Sequence, residues 1–209
     1  MAITGNEATF YSSQSQVCMC FGQLGVTCDN LIIASGKFLG EGNTLRKLSK
    51  ARFIFHVVGM PLLAIPITNV ALHHHIFHPS TAASIRTLLV LYATFELFRW
   101  LGYDTKNLRL VDLRGFKHHK PPYLAGTMAY SSGRVVEMVL PAMLLIFYEF
   151  FVGWQIYNSS PALTAGPMLS ASALLTFFAC SVKGRPDIQL LGENLHCALL
   201  CAVLALLEG

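Results

Sequence analysis

The chain has 209 residues, of which 54% are hydrophobic and only 12% charged, with a mean hydropathy of +0.52. A water-soluble domain carries about 25% charged residues, so this composition lacks the polar coat such a fold needs. The net charge of +4 does not argue for a nucleic-acid partner, because the basic residues gather between apolar segments.

Residues 1–16 hold neither a basic n-region nor an apolar h-region, so no signal peptide is expected there. They read as a short N-terminal tail before a single transmembrane helical domain over 17–209. About 20 apolar residues, at 1.5 Å each, cross a hydrocarbon core. Segments at about 17–39, 53–72, 85–101, 135–157, 163–182 and 188–207 meet or approach that standard. The expected fold is therefore all-α, a polytopic integral membrane helical bundle of six transmembrane helices. It has five if the first segment, interrupted by Asp29 and Asn30, does not cross. Pro61 and Pro66 in the second segment are tolerable in a membrane helix whose neighbours satisfy the freed carbonyls. Between the third and fourth segments, residues 104–133 alternate leucines with basic residues and read as a stretch lying on the membrane surface. Lys117, His118, His119 and Lys120 there suit anionic head groups.

Let the N-terminus lie on side X and the first loop on side Y. Of the 15 Lys and Arg residues, all but Arg86 and Arg99 then fall in or beside the three Y loops. The positive-inside rule makes Y the cytosolic face, and an endoplasmic-reticulum or other endomembrane location is expected. Asn158-Ser159-Ser160 is the sole N-glycosylation acceptor sequence, and it falls on X, where a lumenal glycan would sit. The six cysteines (Cys18, Cys20, Cys28, Cys180, Cys197 and Cys201) lie in apolar stretches without zinc spacing and read as reduced, packed thiols.

Ionised groups in hydrocarbon cost about 3 kcal/mol each on insertion scales, so those present mark pairing or function. With the topology above, Asp29, His56, the Glu96–Arg99 and Arg134–Glu137 pairs, and Glu193 with His196 all fall in the Y-facing half. Glu96 and Arg99 are spaced i, i+3 and can neutralise each other. Glu193-Asn194-Leu195-His196 has the Glu-x-x-His spacing of di-iron bundles, but the sequence has no second copy, so no metal and no cofactor is expected. A carboxylate in a low-dielectric pocket can hold a proton near neutral pH. Beside a histidine it can protonate an olefin or epoxide, or shift a double bond. The candidate catalytic residues are Glu193 and His196, with Glu96 and Glu137 as partners and Asp29 and His56 further out. Tyr92, Phe95, Phe98, Trp100 and Tyr103 are candidates to line a site for a bulky apolar substrate.

His73, His74, His75 and His78 form a second cluster at the X edge of the second segment. His74 and His78 are spaced i, i+4, but Pro79 suggests that the helix has ended, leaving a solvated interfacial patch. No Asp-rich diphosphate motif, Gly-rich phosphate loop, Gly-x-Ser-x-Gly, His-Glu-x-x-His or desaturase-type histidine box is present. The expected function is a small multi-pass membrane enzyme working on a lipid or isoprenoid/terpenoid-type substrate by acid–base chemistry of the cyclisation or isomerisation class. Its expected partners are the lipid bilayer and an apolar small molecule. Two other classes fit the same residues. One is a non-catalytic subunit or scaffold whose charge pairs are interhelical glue. The other is a proton-coupled carrier using Asp29 and Glu193, thinly supplied towards X by Asn69 and Glu149. Oligomeric state has no signature in the sequence.

Overall fold

Pro61 and Pro66 lie inside one unbroken helix, and that helix is the axis of the molecule. The computed structural model describes residues 5–39, 42–102, 108–113, 123–128, 132–160, 164–181 and 186–208. In chain order these form α1 (Gly5–Leu39), α2 (Asn43–His73), α3 (Pro79–Gly102), strands β1 (Leu108–Leu113) and β2 (Tyr123–Met128), α4 (Ser132–Ser159), α5 (Ala165–Ser181) and α6 (Pro186–Glu208). The boundary expected at residue 17 falls inside α1, and Ser15 is already buried, accepting a hydrogen bond from Asn69 Nδ2 at 2.9 Å.

α2 packs against α1, α3, α4 and α6, while α5 bridges α4 and α6. Leu63, Ala64, Ile67, Val70 and Ala71 of α2 meet Met19 of α1, Leu145, Val152 and Ile156 of α4, Leu169 of α5, and Leu200 and Val203 of α6. Those α2 residues form one broad face; Ile65 and Leu72, on the opposite side, are also buried, as a helix surrounded by others requires. α3 differs: it packs on α2 but, among the described residues, has no extended contact with α4.

The helical architecture expected from composition carries one addition. β1 and β2 pair antiparallel, Leu108 opposite Met128 and Leu113 opposite Tyr123, and the ribbon packs on α1 and α2. Leu-Arg-Leu at 108–110 has the period-two alternation of a strand, which was read above as a surface-lying segment. Lys117, His118, His119 and Lys120 lie outside the described residues.

Two described stretches are long and apolar enough to cross a membrane, Ser13–Gly36 and Pro79–Arg99; Val58–His73, Ala165–Ala179 and Leu191–Leu206 are shorter apolar stretches. The distribution of side chains supports membrane association. Phe21, Leu24, Leu88, Leu91, Phe95, Phe98, Phe147, Phe151, Phe178 and Leu191 are exposed, whereas Glu149, Glu193, His196, Thr68, Ser172 and Thr176 are buried. Large apolar side chains exposed on successive helices would be a liability in water. In hydrocarbon the costs reverse, and polar groups must find partners inside the bundle.

The histidine cluster ends α2 and starts α3. Hydrogen bonds run from His75 N to Leu72 O at 3.0 Å and from Ile76 N to Ala71 O at 2.8 Å. Together they form a Schellman stop with His74 at the C-cap. His75 therefore adopts φ 57°, where glycine is usual. His78 Nδ1 accepts the Ser80 N–H at 3.4 Å and lies 2.8 Å from Ser80 Oγ, capping α3 with Pro79 in the first helical position. His74 and His78 are thus not one helical turn apart. Burial, then neighbouring His73 and His75, hold the His74 imidazole below its ordinary pKa. Replacing His75 by glycine removes the left-handed strain at the cost of some backbone entropy. It is expected to stabilise the protein by about 0.5–1 kcal/mol, read as a rise in unfolding midpoint.

Candidate functional site

α3 presents Tyr92, Glu96 and Arg99 at i, i+4 and i+7, one helical face. That face meets α2 and looks across a gap towards α4. The gap is a cavity of about 490 Å³ lined by Met60, Pro61 and Ala64 of α2, Ile85, Leu89, Tyr92, Glu96 and Arg99 of α3, and Leu144, Leu145 and Tyr148 of α4. Its size falls within the usual range for small-molecule sites. Along α3 the lining runs from Ile85 to Arg99, about 21 Å at the helical rise, so the space is a slot parallel to the helices. Its floor is α2, and its side walls, α3 and α4, hardly touch.

The slot is apolar along most of its length, with its charges at one end. Arg99 donates from Nε at 3.1 Å and from Nη2 at 2.8 Å to the same oxygen, Oε2 of Glu96. The carboxylate is nearly buried, at 8% side-chain exposure, and the guanidinium retains 25%. Tyr92 hydrogen-bonds to Glu96. The guanidinium and the tyrosine hydroxyl together fix the orientation of the carboxylate at this end of the slot. Towards the middle of the slot Tyr148 Oη lies 2.8 Å from Thr68 Oγ1, and Thr68 also donates to Ala64 O at 2.7 Å. The tyrosine's polar tip is thus engaged with α2.

Glu193 and His196 lie elsewhere. Both are buried in α6, and neither lines the slot. His196 Nδ1 is 3.0 Å from Ser172 Oγ of α5 and 3.2 Å from Glu149 Oε2 of α4. Cys197 lies within electrostatic reach of both Glu149 and Glu193. His196 is ten residues from the start of α6 and twelve from its end, about 15 and 18 Å along the axis. This group therefore lies at mid-depth. The shared Y-side layer expected above does not gather the candidates into one pocket: Glu96 is separated from Glu193 and His196. Side chains of Asp29, His56 and Glu137 lie outside the described residues, although all three positions are helical.

Ser172, His196 and Glu149 contain the residue types of a hydrolytic triad but not its geometry. A triad needs the serine on one ring nitrogen and the carboxylate on the other. Here both approach Nδ1, so Ser172 is not activated as a nucleophile. Among the described residues no three His, Cys, Asp or Glu side chains are arranged to hold a metal ion.

Of the aromatics expected around a substrate, Tyr92 lines the slot, Phe95 and Phe98 point outwards, and Trp100 and Tyr103 lie outside the described side chains. Tyr148 and Glu149 were the residues that sequence reasoning undervalued. A glutamate eight residues inside the end of the apolar stretch 135–157 was signal enough to single out, but only packing reveals that α6 places His196 beside it. Asn158 is exposed in the last turn of α4, with Ser160 just beyond. No protein-family model matches the chain, and no curated protein is similar to it.

Proposed function

We propose that this chain is a multi-pass membrane enzyme that takes a single-chain lipid or isoprenoid from the bilayer into the slot between α3 and α4. The slot is the observation that carries the reading: it is elongated, apolar along its length and charged at one end. Such a space matches a molecule with an apolar chain and a polar or reactive terminus, entering sideways from hydrocarbon. In this reading six helices cross the membrane, the basic loops face the cytosol, and the Glu96 end lies near that face. Endomembrane residence and a glycan on Asn158 follow from the same orientation.

The chemistry is acid–base catalysis by Glu96. Its carboxylate removes a proton from the carbon between a carbonyl and a double bond at the substrate's polar end, the electron pair passes into the dienolate, and the carboxylic acid so formed returns the proton to the far carbon of the double bond. Arg99 and the Tyr92 hydroxyl, both bonded to Glu96, orient its carboxylate. Glu193 and His196, outside the slot lining, leave the catalytic set.

Purified protein in nanodiscs is expected to retain an apolar species enriched over the bulk lipid, identified by mass spectrometry of the extract. Leu89→Trp, which fills the slot, should abolish that enrichment. Glu96→Gln should retain the species but slow its conversion at least about 100-fold. An extract identical to bulk lipid in wild type and Leu89→Trp alike would overturn the reading. The Glu96–Arg99 pairing itself favours a second reading, a non-catalytic lipid-binding subunit. That reading predicts enrichment without conversion in wild type.

A further inference from the structure

Glu149 and His196 lie on the far side of α4 from the slot, and the reaction above leaves both unused. Glu149 is fully buried, and neither Oε1 nor Oε2 has a hydrogen-bond partner among the described residues; nor does Nε2 of His196. Oε2 of Glu149 and Nδ1 of His196 are 3.2 Å apart at side-chain exposures of 0% and 6%. The contact is one of charge and not an aligned hydrogen bond: Nδ1 is hydrogen-bonded to Ser172 Oγ, and neither Glu149 oxygen has a hydrogen-bond partner among the described residues. One proton keeps the pair neutral overall, either on His196 beside a carboxylate or on Glu149 beside a neutral imidazole. Both arrangements contain the same single proton and the same net charge of zero. Adding or removing a proton leaves an uncompensated charge in a low-dielectric interior, which is expensive.

We infer that Glu149 and His196 together form a proton-binding site at the middle of the bundle, holding one exchangeable proton between α4 and α6. Ser172 Oγ, 3.0 Å from the same nitrogen, orients the ring from α5. Thr176 Oγ1, one turn on, donates to Ser172 O at 2.9 Å and braces that turn. The other ionisable residues carried by the surrounding elements are Asp187, Glu193, Cys197, Cys201 and Glu208 on α6, Cys180 on α5, Arg134, Glu137, Tyr148 and Tyr157 on α4, Arg46, Lys47, Lys50, Arg52, His56 and His73 on α2, and Glu7, Tyr11, Cys18, Cys20, Cys28, Asp29 and Lys37 on α1. α1 reaches α6 through Gln23 Nε2 and Cys201 Sγ at 3.6 Å. Intramembrane carboxylate–histidine pairs of this kind serve proton relays.

The test uses the full chain in nanodiscs, titrated with pH. Infrared spectroscopy reads the Glu149 carboxyl stretch, assigned with Glu149→Gln. Nitrogen NMR reads the His196 imidazole, assigned with His196→Gln. The two signals are expected to change with one common midpoint, and His196→Gln should move the Glu149 midpoint by about tenfold in proton concentration or more. Independent midpoints, or a Glu149 band unmoved by His196→Gln, would overturn the assignment, as would two groups that never titrate. If Glu149→Gln does not fold, glutamate carrying a labelled carboxyl carbon marks the band in otherwise wild-type protein, and the His196→Gln comparison decides.

Discussion

Glu96→Leu is expected to destabilise the protein by about 2–4 kcal/mol, and Glu96→Leu with Arg99→Leu by clearly less. The single substitution leaves the Arg99 guanidinium at the end of an apolar slot without the carboxylate that accepts two of its N–H groups. Breaking a buried pair costs about 3–5 kcal/mol, but Arg99 keeps 25% exposure and can extend its head towards the interface, which trims the penalty. The double substitution removes both charges from a site already walled by Leu144, Leu145 and Leu89. A double-mutant cycle on unfolding midpoints in detergent measures the coupling. Additive effects of the two substitutions would mean that the pair contributes nothing jointly.

Gly166→Val should cost at least about 3 kcal/mol, the upper range for overpacking, because the obstacle is backbone rather than side chain. A Cβ at Gly166 would stand 2.8 Å from Tyr157 N and 2.9 Å from Gly153 O. One at Gly153 would meet Gly166 O and Ser170 N, each at 2.8 Å. The two glycines face each other where α4 crosses α5, and their lack of side chains lets the helices touch. Small residues serve this purpose in membrane bundles, where hydrocarbon gives helices no hydrophobic reason to associate. Forcing α5 away also withdraws Ser172, about 9 Å along α5 from Gly166 at the helical rise, from His196, so Gly166→Val should disturb the His196 imidazole signal. Gly42→Ser is the control: nothing lies within 4 Å of a Cβ there, and its φ of −161° suits any residue. Its unfolding midpoint should match wild type. Equal behaviour of the two variants would mean that the α4–α5 contact is not tight.

The two sites divide the bundle along α4. Tyr148 faces the slot with α2 and α3, and Glu149, the next residue, faces α6. Successive helical positions differ by about 100°, so one helix can serve both without either group reaching the other. The slot and the Glu149–His196 pair can therefore be altered separately. This is why Leu89→Trp and His196→Gln are expected to act on different readouts.

Composition and spacing were enough to read a helical protein with apolar stretches suited to membrane, because hydropathy is a local property. The same holds for the Glu96–Arg99 pair, since residues three apart on a helix are neighbours whatever surrounds them. Pro79 likewise marked the end of α2 correctly, by chain geometry alone. The partnership of Glu149 with His196 is different: 47 positions separate them in the chain, and which helices pack together decides it. Depth measured along separate helices placed Glu96, Glu137 and Glu193 in one layer. A shared depth is not a shared face, however, and the rotation of each helix about its axis is set by packing. The sequence by itself determined the class of molecule and the residues worth watching. Only the tertiary structure decided that Glu96 lies in the slot while His196 lies against Glu149, because the Gly153–Gly166 crossing and the central α2 settle which faces meet.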